Sequence, residues 1–193
     1  MNEVMSKTIV TAKDGDKIIS SVAMIVTLVS FGMLFLTLMM AFAMFRITAP
    51  VWPPAGMTRP DLFLPTLSTV MIFLSSFFYT KFEKNTVAGN VDRQNLTATL
   101  VLGLAFMLSQ FLFWNHLKSQ GIYVSSGVFA SIIYAFTWIH AAHIVAGLGL
   151  LVWLYSALKS ADKMTSVKVS SVGKFWHFLG IVWLIMFVTI FVL

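Results

Sequence analysis

Five stretches of this 193-residue chain contain no charged side chain: residues 18–45, 62–80, 94–115, 119–158 and 175–193, of 28, 19, 22, 40 and 19 residues. A bilayer core takes about 20 apolar residues of helix, within a range of about 17–25. Four stretches therefore hold one span each, the first with some overhang. The fourth, at 40 residues, has room for two spans or for a loop followed by one long helix. The chain as a whole is 59% hydrophobic and 10% charged. Soluble domains run at about 45–50% and about 25%, so this one is too apolar for water and far too apolar for disorder. Without cysteine it can build no disulfide framework, thiolate zinc site or iron–sulfur cluster.

Two independent signals decide the fourth stretch. Residues 119–127, Ser-Gln-Gly-Ile-Tyr-Val-Ser-Ser-Gly, are turn-rich and polar and suit a connection ending in a serine cap. Apolar residues then run from Val128 to Leu158 without a turn cluster. The second signal is charge. With five spans, Lys7, Lys13, Lys17, Lys81, Lys84, Arg93, Lys159, Lys163, Lys168 and Lys174 share one side, ten in all, against Arg46, Arg59 and Lys118 on the other. With six spans the split becomes six against seven. Cytoplasmic loops are the Lys/Arg-rich ones. The expected fold is an all-α, polytopic bundle of five transmembrane helices, N-terminus cytoplasmic and C-terminus periplasmic. A cytoplasmic tail covers residues 1–17 and a single membrane domain 18–193, with spans near 18–45, 62–80, 94–115, 128–158 and 175–193. The net charge of +6 is then a topology signal, and with no basic stripe left over the chain is not expected to bind nucleic acid.

The first apolar run far exceeds the ~7–15 residues of a signal-peptide core, so it is expected to be retained. Trp52, Trp114, Tyr123, Trp153, Tyr155 and Trp176 lie near the expected span ends, as interfacial aromatics do. Pro50, Pro53, Pro54 and Pro60 make the first outer loop stiff and non-helical. No internal repeat of the kind transporters use is apparent.

Chemistry has few places to sit. The seven acids Glu3, Asp14, Asp16, Asp61, Glu83, Asp92 and Asp162 all fall in the expected tail or loops. Intramembrane carboxylates are the usual substance of proton relays and cation-coupled transport, so a self-sufficient pump is disfavoured. What remains in the spans is histidines, hydroxyls and Gln110. His140 and His143, at i and i+3, share a helix face, and with Thr137 and Gly147 they form a ridge on the fourth span. Neutral imidazole ligates haem and metals, and His177 of the fifth span is a conceivable haem partner. The depths disagree, since His177 lies two residues into its span and the pair a third to a half of the way through theirs. The plainer alternative is that these histidines bond to neighbouring helices in a protein-facing groove. Ala141, Ala142, Ala146, Gly147 and Gly149 add a small-residue packing seam to the same span. Met33, Met39, Met40 and Met44 are expected to be filler in the first. No phosphate loop, nucleophile elbow or Ser/His/Asp set is present.

Three segments carry a family resemblance. They are Trp52-Pro53-Pro54; Ser126-Gly127-Val128-Phe129 followed by Thr137-Trp138-Ile139-His140-Ala141-Ala142-His143-Ile144-Val145-Ala146-Gly147; and Phe175-Trp176-His177-Phe178 followed by Val182-Trp183-Leu184. In order and spacing, from about Ile25 to the end, the chain resembles subunit III of the haem–copper respiratory oxidases, the cytochrome c and quinol oxidase family. Five spans correspond to its shorter form, without the first two helices of longer members.

The resemblance implies an accessory, non-catalytic subunit of the bacterial inner membrane that carries no haem or copper of its own. Those cofactors would reside in partner subunits. It would pack directly on catalytic subunit I beside the other oxidase subunits, hold phospholipid, and support oxygen access and active-site stability. Thr137, His140, His143, Gly147, His177, Trp183, Gln110, Trp52, Pro53 and Pro54 would be structural and packing residues, none of them catalytic, cofactor-binding or metal-binding. The other readings are a haem- or quinone-binding membrane anchor, a transporter, and a subunit III-like accessory protein of a quinol oxidase or nitric oxide reductase. The chain also departs from the family pattern. Phe31 follows Ser30 where members carry a membrane glutamate, Phe113 takes the place of an acid after Gln110, and Gly180 that of the terminal motif's aspartate.

Overall fold

The computed structural model describes residues 2–51, 61–90, 92–159 and 166–192, the side chains of residues 2–17, 20 and 159 excepted. Five α-helices account for nearly all of it: α1 (Asn2–Thr48), α2 (Phe63–Val87), α3 (Arg93–Ser119), α4 (Val128–Lys159) and α5 (Ser166–Phe187), the last closing in a π-helical turn at Val188–Val192. There is no strand among the described residues. The apolar spans are Ser21–Thr48, Phe63–Val87, Arg93–Ser119, Val128–Leu158 and Ser166–Val192. At 25 to 31 residues and ~1.5 Å rise each is roughly 38–46 Å long, enough to cross a ~30 Å hydrocarbon core with tilt or overhang.

The 40-residue stretch resolves as one loop and one helix. Gly121 and Gly127 adopt positive φ, +77° and +138°, and a short 3₁₀ turn, Val124–Ser126, lies between them. The serine works differently from the expected helix cap. Ser126 Oγ accepts from the Tyr123 amide at 2.9 Å and closes the 3₁₀ turn, and α4 begins after Gly127. Ser131, inside α4, donates back to the Val124 carbonyl at 2.7 Å and ties helix to loop.

Helix ends extend past the charge-free windows. α2 continues to Val87 through Lys81, Glu83 and Lys84, and α5 starts at Ser166, nine residues before the expected 175. Glu83, expected in a loop, is thus carried on a helix. Uncharged stretches mark how deep a helix sits in hydrocarbon, whereas hydrogen bonding carries the helix beyond it. Long basic side chains tolerate this by laying their stems on apolar surface. Lys81 Nζ lies 4.6 Å from the Phe77 ring centroid and Lys168 Nζ 5.6 Å from that of Trp153. Likewise α1 runs back to Asn2, so residues 2–17 are continuous in backbone with the first span.

The α2–α3 hairpin is the most extensive interface, and α4 and α5 complete a four-helix bundle against it. Its connection is fixed by Asp92, whose carboxylate caps α3 by accepting from the Asn95 amide at 3.1 Å and from Asn85 Nδ2 of α2 at 2.7 Å. α5 is the central element, with half of its most apolar window buried, against 6% for α1. α1 leans on α5 and more sparingly on α4, burying Phe35 and Phe42 while most of its apolar residues stay on the outside.

Trp176 seats α5. Its indole is fully buried in a notch opened by two glycines. A Cβ on Gly103 of α3 would meet Trp176 Cη2 at 2.9 Å, and one on Gly147 of α4 would meet Trp176 Cε3 at 3.0 Å. The indole N–H donates to Ser75 Oγ of α2 at 3.1 Å, and Ser75 donates on to the Thr99 carbonyl of α3 at 3.0 Å. Trp176 is therefore not the interfacial anchor expected from the sequence; with α5 starting at Ser166 it lies three turns inside the helix. Trp153 and Tyr123 are exposed as expected, and Trp114 and Tyr155 half-exposed.

Two predictions follow from the packing and the cap. Gly173 lets α5 meet α2 so closely that an added Cβ would lie 2.6 Å from Tyr79 Cε1, whereas nothing lies within 4 Å of one on Gly149. Gly173→Ala is expected to cost about 1–3 kcal/mol through overpacking and Gly149→Ala to leave the thermal midpoint in detergent unchanged; equal midpoints for the two would refute the close approach. The second concerns Asp92, whose pKa is held below the ordinary carboxylate value, first by the Asn95 amide and then by Asn85. A depressed folded-state pKa stabilises above the unfolded value and is lost as pH falls through the folded one. Hydrogen exchange in the first turn of α3 should thus be slow at neutral pH and, once intrinsic rates are allowed for, quicken only below the usual carboxylate range. In Asp92→Ala that acid dependence should vanish.

Candidate functional site

The polar residues singled out in the spans gather between α1, α3, α4 and α5, with α2 behind them. Thr137 is buried and joins α4 to α3: its hydroxyl donates to the Ile133 carbonyl at 2.8 Å and accepts from Trp114 Nε1 at 3.0 Å. One turn on, His140 is completely buried. Its imidazole lies in an aromatic cage, with ring centroids 5.9 Å from Phe35 of α1, 6.0 Å from Phe106 of α3 and 5.5 Å from Trp183 of α5. Neither ring nitrogen has a hydrogen-bond partner among the described residues.

His143 is half-buried and turns towards α1. Its Nδ1 lies 2.7 Å from the Ile139 carbonyl, which can only accept, so Nδ1 carries the proton. Its ring meets Phe31 edge-on at 4.4 Å and Phe35 at 5.5 Å. Gly147, the last member of the ridge, receives Trp176. One helix face thus serves α3, the centre of the bundle, α1 and α5 in turn.

His177 is not brought to this pair. It turns to α2, its Nε2 3.4 Å from Thr80 Oγ1 and its ring 5.9 Å from that of Tyr79. The α5 residue that meets His140 is Trp183, almost two turns further along. Trp183 donates from Nε1 to Thr69 Oγ1 of α2 at 3.0 Å and packs edge-on against Phe106 at 5.0 Å. Gln110 of α3 is buried and donates from Nε2 to Ser68 Oγ at 2.9 Å, while Ser68 and Ser109 share a 2.7 Å hydrogen bond. Gln110 Oε1 has no hydrogen-bond partner among the described residues. Trp52, Pro53 and Pro54 lie outside the described residues. Among the described residues no three His, Asp or Glu side chains come together as a metal-ligand group.

The three positions that depart from the family pattern are two aromatic contacts and one close approach of helices. Phe31 covers His143, Phe113 is buried and packs against Phe191 at 5.5 Å, and Gly180 brings α5 within 3.4 Å, measured to an added Cβ, of Ser76 Oγ on α2. Sequence reasoning passed over Ser68, Ser75 and Tyr79. Their signal is a serine every seven residues, Ser68 and Ser75, on the α2 face that meets α3. Tyr79 continues that face and donates to the Val169 carbonyl of α5 at 2.7 Å. As a whole the site locks helices together.

Comparison with known proteins gives a single answer. Residues 9–193 match the family model described as cytochrome c oxidase subunit III. The chain is 28% identical over 173 residues to "Cytochrome c oxidase subunit 3" of Synechocystis sp., covering 86% of this chain and 72% of that one. It is similarly 28% identical over 179 residues to the protein of the same name from Thermostichus vulcanus, with 88% and 85% covered. Against "Probable cytochrome c oxidase subunit 3" of Nocardia farcinica it is 32% identical over 147 residues, with 72% and 70% covered.

The unpartnered imidazole yields a test that separates packing from ligation. A buried polar group left without a partner costs about 1–3 kcal/mol, and replacing it by an apolar group of similar shape removes that cost. His140→Leu is expected to leave the thermal midpoint unchanged or raise it. Ser68→Ala strands the Gln110 amide and is expected to cost about 1–3 kcal/mol. A loss in His140→Leu as large as that of Ser68→Ala would mean that the ring nitrogens have a partner beyond the described residues.

Proposed function

The chain belongs to the cytochrome c oxidase subunit III family, and we propose that it serves as the accessory, cofactor-free subunit of a haem–copper terminal oxidase in the bacterial inner membrane, packed directly on catalytic subunit I. The observation that carries this reading is the family match over residues 9–193. Five helices long and apolar enough to span a membrane are what such a role needs. Among the candidate enzyme types, cytochrome c oxidase is favoured by the names of the relatives. The ten-to-three division of basic residues supports an N-terminus in the cytoplasm and a C-terminus in the periplasm.

In this reading the chain contributes apolar volume and rigidity. Oxygen partitions into apolar phases, and α1 presents a long outward face of Val22, Ile25, Val29, Met33, Leu36 and Met40 with which lipid or subunit I would be in contact. No charged side chain interrupts the span from Ser21 to Phe45. His140, His143, His177, Gln110, Thr137, Gly147 and Trp183 act as packing and helix-joining residues. Support comes from the aromatic cage around His140, from the bond between Trp183 and Thr69, and from the separate engagement of His177 with α2. Trp52, Pro53 and Pro54 would shape the outer loop.

Affinity purification of the full chain from native membranes tests the role. A haem–copper catalytic subunit should co-purify in stoichiometric amount, its Soret band staying with that subunit when the two are separated. A copper-bearing subunit II in the same complex identifies a cytochrome c oxidase; its absence, with a quinol-oxidising or nitric-oxide-reducing activity, identifies one of the related complexes. Stoichiometric haem retained by this chain alone would overturn the reading in favour of a haem-binding anchor.

A further inference from the structure

His143 has a nitrogen to spare. Its Nδ1 proton goes to the Ile139 carbonyl. A neutral imidazole carries only one N–H, so Nε2 is left as a bare acceptor. No hydrogen bond reaches Nε2 among the described residues. Phe31 and Phe35 of α1 meet the ring at 4.4 and 5.5 Å and bring it no donor. Unlike the two nitrogens of His140, Nε2 is not sealed inside the bundle, and the residue is half-buried where α4 meets α1.

The depth of this acceptor limits what can satisfy it. His143 stands at the midpoint of the Val128–Leu158 span, about 22 Å from either end at ~1.5 Å per residue. Half of a ~30 Å hydrocarbon core separates it from water on each side. Lipid headgroups and bulk water do not reach that level, and acyl chains have no N–H or O–H to give. An acceptor left without a donor in hydrocarbon is costly. What can bring a donor to mid-membrane is a side chain on another helix.

The outward face of α4 beside His143 is shaped for such a helix. Ala142, Ala146 and Gly149 are exposed on it, at i, i+4 and i+7, which places them in one row. Nothing lies within 4 Å of a Cβ added to Gly149. Small side chains let a second backbone come close. Trp138 and Trp153, 56% and 47% exposed, bound this shallow trough at its two ends, about four turns apart. α1 touches α4 too sparingly to cover it.

We propose that this face of α4 docks a transmembrane helix of a neighbouring subunit, which donates a side-chain hydrogen bond, from a hydroxyl, amide or indole, to His143 Nε2. The inference rests on the reading of the chain as an oxidase subunit, and it names the surface and the donor chemistry by which the chain is held. Shape and one directed hydrogen bond fix the register of the incoming helix, as they do inside the bundle.

The experiment uses the oxidase complex purified with this chain. A diazirine amino acid in place of Val145, exposed beside the trough, is photolysed in the complex and its adducts are mapped by mass spectrometry. A transmembrane segment of another subunit should carry the adduct; adducts with lipid alone, or with a second copy of this chain, overturn the proposal. Isotope-labelled histidine reads the hydrogen bond itself. The Nε2 resonance that disappears in His143→Phe should lie nearer the hydrogen-bonded position in the complex than in the isolated chain, and identical positions overturn the donor. His143→Phe keeps the ring volume and removes the acceptor. This chain should then dissociate from the complex about threefold faster, the scale of one interhelical hydrogen bond in a bilayer, with the thermal midpoint of the isolated chain unchanged. His143→Gln, which restores an acceptor, should recover part of the loss. Should His143→Phe fail to assemble, photolysis at Val145 with His143 intact carries the test. Equal retention of wild type and His143→Phe overturns the site and leaves the oxidase role standing. Absence of a haem–copper subunit from the wild-type preparation overturns that role, and this surface with it.

Discussion

The structure depends on how closely α5 can approach its neighbours. In a bilayer the hydrophobic effect does not press helices together, because lipid tails are as apolar as leucine; shape and interhelical hydrogen bonds must do it. Here both converge on the Trp176 indole. Gly103 and Gly147 leave a recess for the ring, and Ser75 accepts its N–H. Trp183 repeats the arrangement further along α5, with Thr69 as acceptor. A large flat ring supplies dispersion contacts, and its single donor fixes the rotation of α5 about its own axis. That rotation decides what His140, Tyr79 and Gly173 meet.

The same logic explains why a histidine can sit at the centre without a partner. The surrounding side chains Phe35, Phe106 and Trp183 come from three different helices, and their positions are set by contacts elsewhere. His140 occupies the space they leave, with ring edges and faces in place of hydrogen bonds. Phe31 does the same for His143. Its neighbour is a phenyl ring, and the pair is packed as aromatic bulk.

Much of the architecture was legible from where charges are missing. Span number, the unbroken α4 and the loop at 119–127 all followed from uncharged length, turn residues and the asymmetry of lysines. Helix ends did not, because Lys81, Lys84, Lys168 and Lys174 are carried on helical turns that charge counting assigns to loops. That same error made Trp176 look interfacial. In the candidate site, the spacing of His140 and His143 disclosed that they share a face, whereas what faces them depends on partners 34 or more residues distant, such as Phe106 and Phe35. Gln110 with Ser68 and Trp183 with Thr69 are separated by 42 and 114 positions. No local pattern encodes such pairings; they require the register of the bundle.

The dependence of α1 on α5 bears on how the protein is made. Phe31 meets Phe175, 144 positions later in the chain. At roughly 5–20 residues per second, about 7–29 s separate the synthesis of the two rings. During that interval α1 has α4 to pack on, through Phe35 with His140 and Phe42 with Phe136, but not yet α5. The hairpin of α2 and α3 has no such delay, since its two strands of contact are neighbours in the chain. α1 is thus made well before the last of the helices it packs on. That order gives the translocation machinery, or a partner subunit already in the membrane, a window in which to hold it.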